Sequence, residues 1–204
     1  MGLGNLVLNK LTGLGMKNLR TISSKCFGGS SFSSCVDKLD DLKKLGIKRI
    51  VDFRAEATLD FAEACKGKGF EYLNFPISST TKSTRKGFSC VVDDDFFANL
   101  KKYISMVNEG DTYVGCQFGL DRTNVAVMLN YLLNPKAPVP KIMSWGQYDK
   151  KNVINNLLNT VRRKFIKKLT PEQIKELGLP ADYNPYLQKR IAELLKENVY
   201  NFVS

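Results

Sequence analysis

Thr112-Tyr113-Val114-Gly115-Cys116-Gln117-Phe118-Gly119-Leu120-Asp121-Arg122-Thr123-Asn124 is the stretch that decides how the rest of the chain is read. A short β-type run, Tyr113 to Gly115, leads in, and a helical pattern from Thr123 to Leu133 leads out. Between them stand Cys116 and, six residues on, Arg122 followed by Thr123. Such an arrangement suits holding a phosphate dianion against a thiolate. Successive amides of a tight loop, here Gln117, Phe118, Gly119 and Leu120, form an anion nest. The helix N-terminus adds partial positive charge, and the planar fork of Arg122 can grip two phosphate oxygens. The same surroundings favour the ionised form of Cys116, which is the nucleophilic form. Gly119 supplies a conformation or a closeness that a side chain forbids. Thr123 can hydrogen-bond the sulfur or a water.

Outward from this loop, the chain alternates. Val36 to Leu45 has the spacing of an amphipathic helix stopped by Gly46, and Ile47 to Phe53 that of a strand. Thr58 to Lys66 is helical and Phe70 to Phe75 a strand ended by Pro76. Ser78 to Lys86 is a polar loop, and Asp93-Asp94-Asp95 opens a helix from Phe96 to about Val107, its carboxylates complementing the dipole. This alternation predicts an α/β fold with a central, mostly parallel sheet flanked by helices. In such sheets ligands bind beyond the carboxyl ends of the strands, where the Cys116 loop falls. Past the extended Asn134 to Pro140, the pattern is all helix: Lys150 to Lys168, a short helix capped by Thr170-Pro171-Glu172-Gln173, and a last one from Asn184-Pro185 to about Phe202. We expect one domain over 1–204, with an α/β core at 23–134 and a helical C-terminal subdomain at 141–204.

The length of 204 residues suits one self-sufficient core. No apolar run approaches the ~20 residues of a membrane span. Met1 to Arg20 lacks the basic-then-apolar order of a signal peptide, and Leu6 stands where a myristoylation motif wants Ser or Thr. Five cysteines, an odd number with no C-x-x-C pair, and no histidine argue against a disulfide framework or a zinc site. Free thiols point to a reducing, cytoplasmic compartment, with export as an effector left open. Cys65 reads as a buried small hydrophobe on a helix, and Cys26, Cys35 and Cys90 as loop thiols. The net charge of +11 predicts attraction to anions, including a peripheral contact with anionic membrane. Much of the excess sits in Arg162-Arg163-Lys164 and Lys167-Lys168, where a solvated helix face is the plainer explanation. No nucleic-acid motif is recognisable, so charge alone carries no such assignment.

The run C-x-x-G-x-x-R-T resembles the signature loop of cysteine-dependent protein tyrosine and dual-specificity phosphatases. Its Asp121-Arg122-Thr123 is similar to the branch of bacterial tyrosine and lipid phosphatases with Asp-Arg-Thr there, and Leu120 to Asn124 resembles the Leu-Asp-Arg-Thr-Asn of Sac-type phosphoinositide phosphatases. Leu39 to Glu56, with Gly46-Ile47 and Ile50-Val51-Asp52-Phe53-Arg54, looks like the entry segment of bacterial dual-specificity-like phosphatases, and Phe70 to Pro76 like their next strand. The resemblance covers about Ser23 to Asn134. It implies no cofactor and no metal, Cys116 as nucleophile, Arg122 as the phosphate-binding guanidinium, and Asp121 as general acid. Asp93, Asp94 and Asp95 remain alternative acids, because the loop after Pro76, where many relatives place theirs, carries no carboxylate. Gly115 departs from the family's histidine. Neutral Gln117 and Leu120 replace lysines often found in phosphatases of multiply phosphorylated inositol lipids. The implied substrates are a phosphorylated protein or a phosphoinositide, with an RNA 5′ end and a non-catalytic phosphate-binding role as alternatives. Arg54 is expected either to support the loop or to form a structural salt bridge.

Overall fold

The computed structural model describes residues 3–30, 36–79, 88–89, 94–143 and 149–199. The strands β1 (Arg20–Ser23), β2 (Cys26–Ser30), β3 (Arg49–Arg54), β4 (Glu71–Ser79), β5 (Phe88–Ser89) and β6 (Thr112–Cys116) form a sheet in the order β1-β2-β6-β3-β4-β5. The four central strands are parallel and the two edge strands antiparallel to their neighbours. The helices are α1 (Leu3–Gly13), α2 (Leu39–Lys44), α3 (Leu59–Gly67), α4 (Asp94–Glu109), α5 (Asp121–Leu133), α6 (Lys150–Lys164), α7 (Pro171–Glu176) and α8 (Asn184–Asn198). The protein is thus an α/β fold with a mostly parallel central sheet flanked by helices and a helical C-terminal region.

Period-two alternation in β3 and β6 divides the interior into two cores. Val51, Phe53 and Val114 face one side, where α4, α5 and the C-terminal helices pack, and Phe53, Phe75, Tyr103 and Phe96 form an edge-to-face and tilted aromatic cluster. Ile50 and Tyr113 face the other side with residues of α1, α2 and α3. A sheet covered on both faces needs apolar residues on both, which is why these strands read as continuous apolar runs. Helix α5 lies between the sheet and the C-terminal helices, and every residue from Arg122 to Leu133 is buried. Its apolar character all round, rather than one stripe, follows from that position. It packs against α6 and α8, and Leu158 and Val161 of α6 and Leu187 and Leu194 of α8 belong to the same core.

Several expectations are corrected. The N-terminal segment, for which no element is predicted, supplies α1, β1 and β2, and the sheet begins at Arg20. Cys26 is a fully buried residue of β2, not a loop thiol, and burial pushes its thiol up. Pro76 does not end its strand: β4 runs on to Ser79, and the pairing with β3 shifts register between Asp52 and Arg54. Proline is tolerated where the ladder is interrupted. The Val36 helix opens as a 3-10 turn before α2, and the helix after Lys150 closes as a 3-10 turn at Ile166–Lys168. Cys65 is buried on α3 as expected, and Thr170 and Gln173 form the expected reciprocal cap. Cys35, Cys90, Asp93, Phe202 and most of the Ser78 to Lys86 loop lie outside the described residues. No helix among the described residues is long and apolar enough to cross a membrane.

Candidate active site

Strand β6 ends at Cys116 in the middle of the sheet, between the carboxyl ends of β2 and β3. The chain then turns through residues 117–120 into α5, so the loop, the helix N-terminus and the cysteine converge at the switch point of the sheet. Gly119 is what allows the turn to lie so low. Its φ of +69° is left-handed, and a Cβ built on it would stand 2.3 Å from the carbonyl carbon of Gly29 and 2.4 Å from the nitrogen of Ser30. Both neighbours are backbone and cannot swing aside, so glycine is required twice over.

Cys116 is buried. The Thr123 hydroxyl, in the first turn of α5, donates to its Sγ at 3.2 Å. Arg122 is buried beside it. Burial alone lowers the Arg122 pKa, but the hydrogen-bonded Glu56 carboxylate and the nearby Cys116 sulfur outweigh this and raise it. The contact with Glu56 is bidentate: Nη1 donates to Oε2 at 2.6 Å and Nη2 to Oε1 at 2.7 Å. That fork uses one N–H on each terminal nitrogen and leaves the Nε–H and a second N–H on each terminal nitrogen to meet an anion. In return, Arg122 holds the Glu56 carboxyl below its ordinary range against the opposing effect of partial burial.

The other expected residues fall into place differently. Gln117 and Phe118 are exposed, whereas Gly119 and Leu120 are buried. Asp121 is the first residue of α5 and is exposed. Asp94 and Asp95 are exposed in the first turn of α4, as helix-start carboxylates. Arg54 is held by a structural pair: its backbone N–H, Nε and Nη2 all donate to the buried Asp52 carboxylate, which also accepts from the Tyr72 hydroxyl. Asn124 brackets the segment after Pro140, donating to the Met143 carbonyl and accepting from its N–H.

Three residues near the loop escaped the sequence reading. Glu56, in the turn two residues beyond β3, meets Arg122 only through the fold. Asn18 and Arg20 reach the loop from the N-terminal side: Asn18 Nδ2 donates to the Phe118 carbonyl at 2.8 Å, and Arg20 Nη1 to the Gly119 carbonyl, also at 2.8 Å. The one available signal was parity, since Arg20 shares the inward face of β1 with Ile22. Among the described residues, no group of three or more histidine, cysteine, aspartate or glutamate side chains is placed to hold a metal ion.

No family model matches the chain, and no curated protein matches it. Among solved structures, it is similar to the core catalytic domain of the PP-IP phosphatase Siw14 from S. cerevisiae, at 9% identity and a TM-score of 0.44, covering 87% of this chain and 93% of that one. TpbA of P. aeruginosa is similar at 16% identity and a TM-score of 0.42, covering 86% and 91%. PTPMT1, in complex with PI(5)P, is similar at 13% identity and a TM-score of 0.40, covering 86% and 97%. At these identities and scores they are likenesses of overall shape.

Proposed function

We propose that the chain is a phosphatase that hydrolyses phosphate monoesters through a phosphocysteine intermediate, acting on phosphotyrosine or on phosphotyrosine and phosphoserine/threonine in proteins. The observation that carries the reading is the convergence of the Thr123 hydroxyl and the Arg122 guanidinium on the Cys116 sulfur, beneath a loop that only glycine can close. In the first step the Cys116 thiolate attacks phosphorus in line, the S–P bond forms, and the P–O bond to the leaving group breaks. Asp121, exposed at the helix entrance, gives its proton to the departing oxygen. The negative charge of phosphate and thiolate, rather than burial, is what keeps that proton on the carboxyl in the bound state. Arg122 and the loop amides hold the equatorial oxygens as charge spreads over them. In the second step water attacks the phosphocysteine, Asp121 takes the water's proton, the S–P bond breaks, and inorganic phosphate leaves. Thr123, hydrogen-bonded to sulfur, eases its return as thiolate.

Hydrolysis of a small aryl phosphate by the wild-type chain, abolished in Cys116→Ser, is the expected result. Wild-type protein with no more activity than Cys116→Ser overturns the reading. Asp121→Asn is expected to lower kcat about 10²- to 10⁴-fold for leaving groups that need protonation. Activity unchanged in Asp121→Asn moves the acid to Asp94, Asp95 or Asp93. A panel of phosphotyrosine and phosphoserine peptides, monophosphorylated inositol lipids and RNA 5′ ends assigns the substrate class.

A further inference from the structure

Arg20 is a cation in an unusual place. Its side chain is buried, with the residue only 2% exposed, and runs inward from β1 to the underside of the Cys116 loop. Nη1 donates to the carbonyls of Gly119 and, at 3.3 Å, Asn18, whereas Nε and Nη2 have no hydrogen-bond partner. No carboxylate pairs with it among the described residues. An unpaired buried charge is costly, so the fold must set an anion against it. Burial lowers the Arg20 pKa to about 10, and the groups that oppose this are Cys116, Tyr103 and Tyr113.

Two of those three are neutral. Tyr113 donates its hydroxyl proton to the Ser30 carbonyl at 2.8 Å, and burial pushes the Tyr103 phenol well up. Arg20 pairs with Gly28 and Gly28 with Val114, two residues before Cys116 on the same face of β6, so Cys116 is the acid on the side that Arg20 enters. Among the described residues, the other charges on the Cys116 loop and its helix entrance are Arg122 of α5, already forked onto Glu56 from the turn after β3, and the exposed Asp121. Gly115 adds no side chain, and the chain contains no histidine.

The backbone contacts point the same way. A trans peptide sets each N–H opposite the preceding carbonyl. With the Phe118 and Gly119 carbonyls held by Asn18 and Arg20, the N–H groups of Gly119 and Leu120 are turned to the opposite side, where an anion nest needs them.

We propose that Arg20 is a positioning residue for Cys116: it supplies the buried counter-charge that makes the thiolate and, with Asn18, fixes the loop amides toward phosphate. The proposal deepens the phosphatase reading and rests on it only for the use made of the thiolate.

Thiolate absorbance at 240 nm, followed against pH as wild type minus Cys116→Ser and again in an Arg20→Met background, tests it without turnover. The midpoint is expected to rise by about 1–2 pH units in Arg20→Met. Arg20→Lys, which keeps the charge, is expected to restore most of the shift, as a purely steric role would not. An unchanged midpoint in folded Arg20→Met overturns the proposal. Should Arg20→Met fail to fold, Arg20→Gln carries the same measurement, because it keeps a donor for the Gly119 carbonyl and loses only the charge. A shifted midpoint in a chain that hydrolyses no phosphoester upholds Arg20 and sinks the phosphatase reading. An unshifted midpoint with turnover intact does the reverse.

Discussion

Two arginine–carboxylate pairs sit near the carboxyl end of β3, and they are built for different ends. Asp52 and Arg54 close on each other with side chains 0% and 8% exposed. Each Asp52 oxygen accepts more than one bond, from Arg54 and Tyr72, and the Arg54 guanidinium also lies 5.2 Å above the Phe61 ring. Arg122 and Glu56 make an equally short fork, but Glu56 is 54% exposed while Arg122 is 9%. The first pair is enclosed. In the second, the buried partner is the cation, and the carboxylate that holds it stands in solvent and leaves part of the guanidinium's donor set open. Chemistry alone does not distinguish them. A buried ion pair whose lone pairs are filled fixes structure, whereas a pair with a wet carboxylate holds an arginine ready for another anion.

The largest effect is expected from Asp52→Asn. Removing one charge of an enclosed pair strands Arg54 and should cost about 3–5 kcal/mol of folding stability, measurable by denaturant titration. A loss under about 1 kcal/mol makes the two pairs equivalent and breaks the comparison. Next is Arg122→Lys, which keeps charge but not the fork. It should lower kcat/KM for an aryl phosphate about 10²- to 10³-fold, while the midpoint of denaturation moves little. A stability loss as large as that of Asp52→Asn assigns Arg122 to structure instead.

The smallest is Glu56→Gln, expected to change stability at neutral pH by no more than about 1 kcal/mol, because the pair is half in water. Its signature is the acid limb. The Glu56 carboxyl is held below its ordinary value in the folded chain, so the unfolded chain binds its proton first as pH falls. The stabilisation is therefore complete above the unfolded value of 4.5 and disappears as pH drops through the lowered folded value. Stability against pH should be flatter over that window in Glu56→Gln than in wild type. Parallel curves remove Glu56 from the pair in solution.

From the sequence alone came the alternation of helix and strand from Val36 onward, the switch from strand to helix across Cys116, and the residues of the loop. Each rests on local spacing: period two in the strands, turn chemistry at Gly46 and Gly119, and six residues from cysteine to arginine. The N-terminal strands stayed hidden because β1 and β2 are short, carry Gly28 and Gly29, and exist only by pairing across the sheet. Glu56, Asn18 and Arg20 stayed hidden for a related reason: they lie 66, 100 and 99 residues from the loop atoms they bond. Local pattern records what a residue does to its own backbone. Which charge is enclosed, which is left wet, and which cation lies beneath the loop are set by contacts closed over long stretches of chain, and only the packed structure decides them.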